Sequence, residues 1–305
     1  MSYGPLFIFV AALLWGLDGI LRRSLYSLPP ATIVFFEHLI GLIIIAPFLW
    51  RAWGKEKIEK KEWYALGTVA LFSGVLGTLF FTTALLKVDF IPFSVVFLLQ
   101  KLQPIFAVSA AAVFLGERIT KRYALWALLA LIAAYFVTFP SGVVNFTEGG
   151  AHVTAAIYAL LAAACWGAST ALSRYALIHH SNTLITGLRF LLTTPLALLF
   201  VFALGAAPSL GHISLMQVGT LALIAFSTGM VALWIYYRGL KQTPASVSTI
   251  VELTFPVTAI LIDYFLYGTT LAMSQYLAAA ILFFAMYKVA GIRTAPDTGT
   301  HGSVR

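Results

Sequence analysis

From residue 4 to residue 291 the chain alternates long apolar stretches with short polar breaks. A helix that crosses the hydrocarbon core needs about 20 mainly apolar residues. By that measure the pattern predicts ten spans, at 4–24, 30–50, 63–86, 91–115, 121–140, 152–176, 182–204, 214–237, 245–267 and 271–291. The predicted fold class is therefore an all-α integral membrane protein with ten transmembrane helices. The first span has no basic residue before it and is followed by nine others, so it reads as a true span and not a cleaved signal. Residues 292–305 read as a disordered tail.

Composition agrees: 61% of the 305 residues are hydrophobic and 10% charged, against about 25% charged in an ordinary soluble domain. The net charge of +8 raises nucleic acid as a partner, and the placement of the charges answers it. Lys and Arg near span ends mark the cytoplasmic side. With both termini inside, fourteen of the nineteen basic residues fall on inner loops and the tail. Three (Arg22, Arg23 and Lys87) fall outside, and Lys101 and Arg189 lie within spans. The basic excess is a topology signal, so no nucleic acid is expected. The expected location is the cytoplasmic membrane, multi-pass, with N- and C-termini in the cytoplasm, and RAWGKEKIEKKEWY (51–64) reads as a solvated inner loop. Cys165 is the single cysteine, so no internal disulfide is available.

The chain also resembles itself. A shift of 151 pairs Trp15-Gly16 with Trp166-Gly167, Arg23 with Arg174, Thr32 with Thr183, and His38 with Arg189. A shift of 152 pairs Gly77 with Gly229, Ser94-Val95 with Ser246-Val247, Pro104 with Pro256, and Gly116 with Gly268. Five spans per half is an odd number, so the second half is expected to be inverted relative to the first. The expected domains are 1–140, the first five-helix repeat, and 141–291, the second. Inverted repeats are a secondary-transporter architecture, with the site near the midplane between the halves.

The Trp-Gly pair in the first helix of each half, the basic residue in the second helix of the second half, the mid-helix proline of each fourth helix and the ending FLGERIT resemble the EamA family of the drug/metabolite transporter superfamily. The resemblance covers the chain to about residue 290. It implies a ten-helix bundle with a central cavity and alternating access, exporting amino acids or other small metabolites. His38 standing where the second half has Arg189, and GTTLA in place of GERIT, depart from the pattern. Neither substrate nor coupling ion follows from it.

The intramembrane polar residues are the candidate site. Lys101 sits about 15 Å into its span, where a charge costs at least about 2.5–3.5 kcal/mol on insertion scales. Phe97, Gln100, Lys101 and Pro104 share one helical face. Pro104 and Pro256 cannot donate to the carbonyls of Gln100 and Glu252, so each fourth helix is expected to kink and expose an acceptor beside a polar side chain. Depth predicts an outer cluster of Glu37, His38 and Lys101 and an inner pair of Arg189 with Glu252. Asp18, one turn before Arg22, is expected to pair with it within helix 1. Arg189 with Glu252 reads as a packing bridge or gate, or as direct substrate contact. His38 reads as a hydrogen-bonded packing residue, or as a proton sensor, which leaves proton coupling open. Trp15, Trp166, Trp234 and Tyr237 are the aromatic candidates for cavity lining.

A cavity holding Lys101 or Arg189 with Glu37 or Glu252 complements a zwitterion, so an exporter of amino acids or related metabolites is the first expectation. The alternative is a carrier of an anion such as a sugar phosphate or nucleotide conjugate. A channel would favour rings of equivalent groups, which two inequivalent halves do not supply. GAST at 167–170 resembles an intramembrane serine protease motif, but no later span holds a histidine. No enzyme activity is expected. No phosphate-binding glycine loop, metal-ligand cluster or cofactor motif occurs, so the expected partners are a small-molecule substrate and the lipid bilayer.

Overall fold

The computed structural model describes residues 3–87, 93–106, 109, 120–139, 141–143, 151–243, 248, 251–252 and 254–290. The tail at 292–305, the GERIT segment and the Ser246-Val247 match lie outside the described residues. All regular structure among the described residues is helical. In chain order the helices are α1 (Gly4–Arg23), α2 (Pro30–Ala52), α3 (Lys60–Val69), α4 (Thr78–Leu85), α5 (Phe93–Gln100), α6 (Lys121–Thr138), α7 (Ala151–His179), α8 (Asn182–Ala203), α9 (Leu215–Phe226), α10 (Met230–Gln242), α11 (Thr254–Tyr267) and α12 (Met273–Ala290).

Among the described residues, seven stretches are long and apolar enough to cross a membrane: Gly4–Arg23, Pro30–Ala52, Lys60–Leu85, Lys121–Thr138, Val153–Leu177, Asn182–Ala203 and Leu215–Gln242. The shorter apolar helices Ser94–Phe106, Thr254–Tyr267 and Met273–Val289 fall inside the other three expected spans. Leu199, Phe202, Leu223, Phe226 and Phe265 are all more than half exposed. Such faces would aggregate in water and are satisfied by lipid tails.

Local chemistry sets the ends. Thr120 and Ser181 accept from the backbone N–H groups of Tyr123 and Leu184 and so cap α6 and α8. Ser214 with Gln217 and Glu59 with Glu62 form reciprocal capping boxes. The helices pack across the two halves of the chain: α2 lies on α8, α6 on α12, α1 on α10 and α11, α4 and α5 on α7, and α5 on α11. Small residues permit the close approaches, as expected where lipid offers no hydrophobic drive. A Cβ on Gly16 would lie 2.7 Å from Thr258, and one on Gly77 2.5 Å from the Trp166 indole nitrogen.

Among the described residues four of the expected spans are interrupted. Between α3 and α4 the backbone is π-helical over Ala70–Gly77. α9 and α10 are separated by Ser227–Gly229, with Ser227 at φ −121°, ψ −80°. α5 ends at Gln100, followed by a turn at Lys101–Leu102 in which Lys101 N–H and Leu102 N–H donate three residues back, to Leu98 and Leu99. Glu252 likewise sits in a turn before α11. The sequence predicted kinked continuous helices with bare acceptors at Pro104 and Pro256. The chain instead breaks one turn earlier, and the Glu252 carbonyl accepts from Phe255 N–H at 3.2 Å. A tightened turn recovers the bond that the proline removes.

The loop between α2 and α3 is not simply solvated. His180, at the α7–α8 junction, is buried with Nδ1 2.9 Å from Glu56 Oε2. Its Nε2 lies 2.9 Å from Glu62 Oε2, in ion-pair range but not aligned as a hydrogen bond. Ser181 N–H donates to Glu56 at 3.0 Å, and Lys241 Nζ to the His180 carbonyl at 2.9 Å. Burial opposes the charge on Glu56, but the bonds from Ser181 and His180 outweigh it and hold the carboxyl below the usual carboxylate range. A carboxyl lowered in this way stabilises the fold above its unfolded pKa and loses that contribution as pH falls through the folded value. The melting temperature of Glu56→Gln in detergent should therefore lie below the parent's near neutrality, and the gap should close as pH drops below about 4. A gap independent of pH would mean that the charge on Glu56 is not what holds the loop.

Candidate functional site

The interrupted helices line a cavity open at its mouth. Its wall mixes rings (Trp15, Phe81, Phe97, Trp166, Tyr236 and Phe255) with polar groups from α1, α2, α7, α8 and the interruptions.

Two polar networks order the wall. In the first, Arg22 Nε binds Asp18, Nη2 binds Glu37 at 2.8 Å and Nη1 donates to Thr82 Oγ1 at 3.0 Å. Thr228, in the break between α9 and α10, donates to the other Asp18 oxygen. The Asp18–Arg22 pair is the one expected within helix 1, and Glu37 joins it. The second network follows from the π-helical turn, which leaves the Ser73 carbonyl open to side-chain donors. Trp166 Nε1 donates to that carbonyl at 3.0 Å and Arg189 Nη2 to the Ser73 hydroxyl at 2.8 Å. Arg189 Nη1 reaches the Tyr237 hydroxyl at 2.8 Å, which in turn donates to Ser173 at 3.2 Å.

The predicted pairings are therefore corrected. Lys101 lies not beside Glu37 and His38 but 3.6 Å from Glu252 Oε2, with its ammonium 3.8 Å from the centre of the Phe255 ring. Arg189 binds a serine and a tyrosine, not Glu252. Counting along each span separated Lys101 and Glu252 into an outer and an inner group, but α5 packs on α11, so Lys101 and Glu252 meet, whereas Arg22 is the cation that pairs with Glu37.

Among the predicted site residues, Trp15, Glu37, His38, Gln100, Trp166, Arg189, Tyr237 and Glu252 border the cavity. Lys101 and Trp234 are not among its lining residues. Lys101 stands behind Glu252 as a counter-ion, and Trp234 donates its indole N–H to Thr183 at 3.0 Å. His38 donates Nδ1–H to the Val34 carbonyl at 2.8 Å and packs on Phe190, which is the packing role foreseen for it. Ser73, Ser173, Thr228 and Tyr236 were missed. Serine and threonine are common in membrane helices, so only the π turn and the helix break mark the first and third. Tyr236 donates to Glu252 Oε1 at 2.8 Å and packs against Trp15 with ring centres 4.9 Å apart.

A lipid-embedded helical bundle with a polar cavity between interrupted helices is the form of a small-molecule membrane transporter. Comparison with known proteins is specific. The model of the EamA-like transporter family matches twice, at residues 2–139 and 153–290, and the chain belongs to that family. It is 34% identical over 296 residues, 94% of this chain and 97% of the relative, to a protein of Fusobacterium nucleatum subsp. nucleatum named riboflavin transporter ImpX. It is 26% identical over 169 residues, 55% of this chain and 56% of the relative, to the pseudopaline exporter CntI of Pseudomonas aeruginosa. A solved crystal structure matches with a TM-score of 0.63 over 94% of this chain and 96% of its own, at 18% identity, a likeness of fold alone.

Proposed function

We propose that this transporter carries riboflavin or a similarly planar, uncharged heteroaromatic compound by alternating access, as ten transmembrane helices in two inverted repeats (1–140 and 141–291). The observation that carries the substrate reading is an aromatic cavity whose charges are already balanced. Among the lining residues Asp18, Glu37 and Glu252 give three negative charges and Arg22 and Arg189 two positive ones, and Lys101, behind Glu252, supplies the third. The amine of an amino-acid zwitterion would have to displace Lys101 from Glu252 or compete with Arg22 for Glu37 to find a counter-charge. An isoalloxazine ring needs none, and it gains from stacking on Trp15, Tyr236 or Trp166. The near full-length likeness to a relative named a riboflavin transporter supports the same class.

The double match of the family model and the reciprocal packing support the repeats. Exchanging the halves turns the α1–α10 contact into α7–α4 and the α1–α11 contact into α7–α5, and all four occur. The basic asymmetry supports cytoplasmic termini. Cysteines at Ser141 and Gly211 in a Cys165→Ala background should label from outside intact cells with an impermeant thiol reagent, and those at Lys57 and Ser181 should not; the reverse pattern would invert the orientation.

The substrate is tested with the purified protein in detergent. Riboflavin should show saturable fluorescence quenching and raise the melting temperature, since a ligand at a hundredfold its Kd adds about 2.7 kcal/mol of stability. Free amino acids should do neither. A folded protein stabilised by amino acids and indifferent to riboflavin would reverse the assignment.

A further inference from the structure

We infer that Gln100 and Glu252, the residues that the two halves place at equivalent positions, form a donor–acceptor pair that reads the imide edge of the planar ring, Gln100 donating to a ring carbonyl and Glu252 accepting the adjacent ring N–H. The inference rests on the flavin-type reading above and specifies how it is achieved.

Three observations lead to it. Gln100 borders the cavity and is 1% exposed, yet its amide nitrogen has no hydrogen-bond partner. A buried amide left so costs free energy, and a ligand oxygen would relieve it. Glu252 is the most open of the cavity carboxylates, with a side chain 14% exposed against 6% for Glu37 and 5% for Asp18. Its Oε1 accepts from Tyr236, while Oε2 lies 3.6 Å from the Lys101 ammonium, beyond hydrogen-bond reach. A carboxylate offers about four acceptor sites, so capacity is left for a ligand N–H, with Lys101 standing behind it as counter-ion.

The third observation is placement. Gln100 ends α5 and Glu252 lies in the turn before α11, and these two helices face each other, their rings Phe97 and Phe255 touching with centres 5.1 Å apart. Tyr236 connects Glu252 to Trp15. A ring stacked on Trp15 and Tyr236 would turn its edge to the carboxylate. One amide donor beside one carboxylate acceptor complements a carbonyl next to an N–H, the pattern of an imide, and neither half alone supplies both. An amine or a phosphate satisfies one partner and leaves the other orphaned.

The test compares riboflavin with its N3-methyl derivative, which keeps the ring and carbonyls and removes the N–H. The parent should bind riboflavin at least about tenfold tighter, and Glu252→Gln should shrink that preference to within about threefold. Gln100→Leu should weaken both ligands alike, because both keep the carbonyl. Equal binding of the two ligands by the parent would overturn the pair while leaving the flavin reading standing, and it needs no variant to fold. The full preference surviving in Glu252→Gln would overturn the assignment to Glu252. No binding of either ligand by the folded parent would remove the flavin reading and this inference with it.

Discussion

Lys101→Met should destabilise the protein by about 3–5 kcal/mol, because it strands Glu252 as an uncompensated charge at mid-membrane. The two groups are mutual counter-ions, and the ammonium is shielded to 4% side-chain exposure. Methionine replaces its bulk but not its charge. Removing both charges should repair most of the damage: Lys101→Met with Glu252→Gln keeps an acceptor for the Tyr236 hydroxyl and leaves no buried ion. A buried pair exchanged for uncharged groups of similar size is often neutral or better, so the double variant should return to within about 1.5 kcal/mol of the parent. Unfolding in detergent, followed by helical circular dichroism, measures the cycle. If Lys101→Met proves as stable as the parent while losing the substrate, Lys101 contacts the substrate and is not the counter-ion of Glu252.

Arg22→Met should be at least as damaging. Arg22 is 3% exposed and serves Asp18, Glu37 and Thr82 at once, so its loss leaves two buried carboxylates in like-charge proximity. Each carboxylate loses an ion pair worth about 3–5 kcal/mol when one partner is removed, a combined loss comparable to the about 5–15 kcal/mol that holds a typical domain folded. Little folded protein should be recovered. Arg22→Lys should recover part, since one compact ammonium cannot span three acceptors as the guanidinium fork does. The yield of monodisperse protein in mild detergent is the readout. A normal yield of Arg22→Met would mean that Asp18 and Glu37 find other partners or bind protons.

How far the sequence reached depends on the physics behind each feature. Hydropathy is a one-dimensional property, and the bilayer imposes it on every span. The helical segments, the intramembrane polar residues and the likeness of the halves could therefore be read directly. Glu37, Lys101, Arg189 and Glu252 were recognised as polar residues inside apolar spans, although counting about 1.5 Å per residue set Lys101 and Glu252 at different levels and they meet. Pairing within one turn was equally accessible, as Asp18 with Arg22 shows.

Long-range pairing was not. Whether Lys101 meets Glu37 or Glu252 depends on which helix lies beside α5 and how each is rotated, and small residues scattered over several faces do not fix that choice. Arg22 was placed at the outer surface by counting from the span end; the approach of α2, and of Thr228 in the broken helix, buries it. The Glu56–His180–Glu62 contact joins a loop to a junction about 120 residues away, and no local pattern encodes it. The sequence by itself determined which segments form apolar helices suited to a membrane and which polar residues interrupt them, because burial in lipid selects residue types one span at a time. Only the tertiary structure decided which charges neutralise one another and which groups are left facing the cavity, because that follows from the neighbour and rotation of each helix, set jointly by all the packed surfaces.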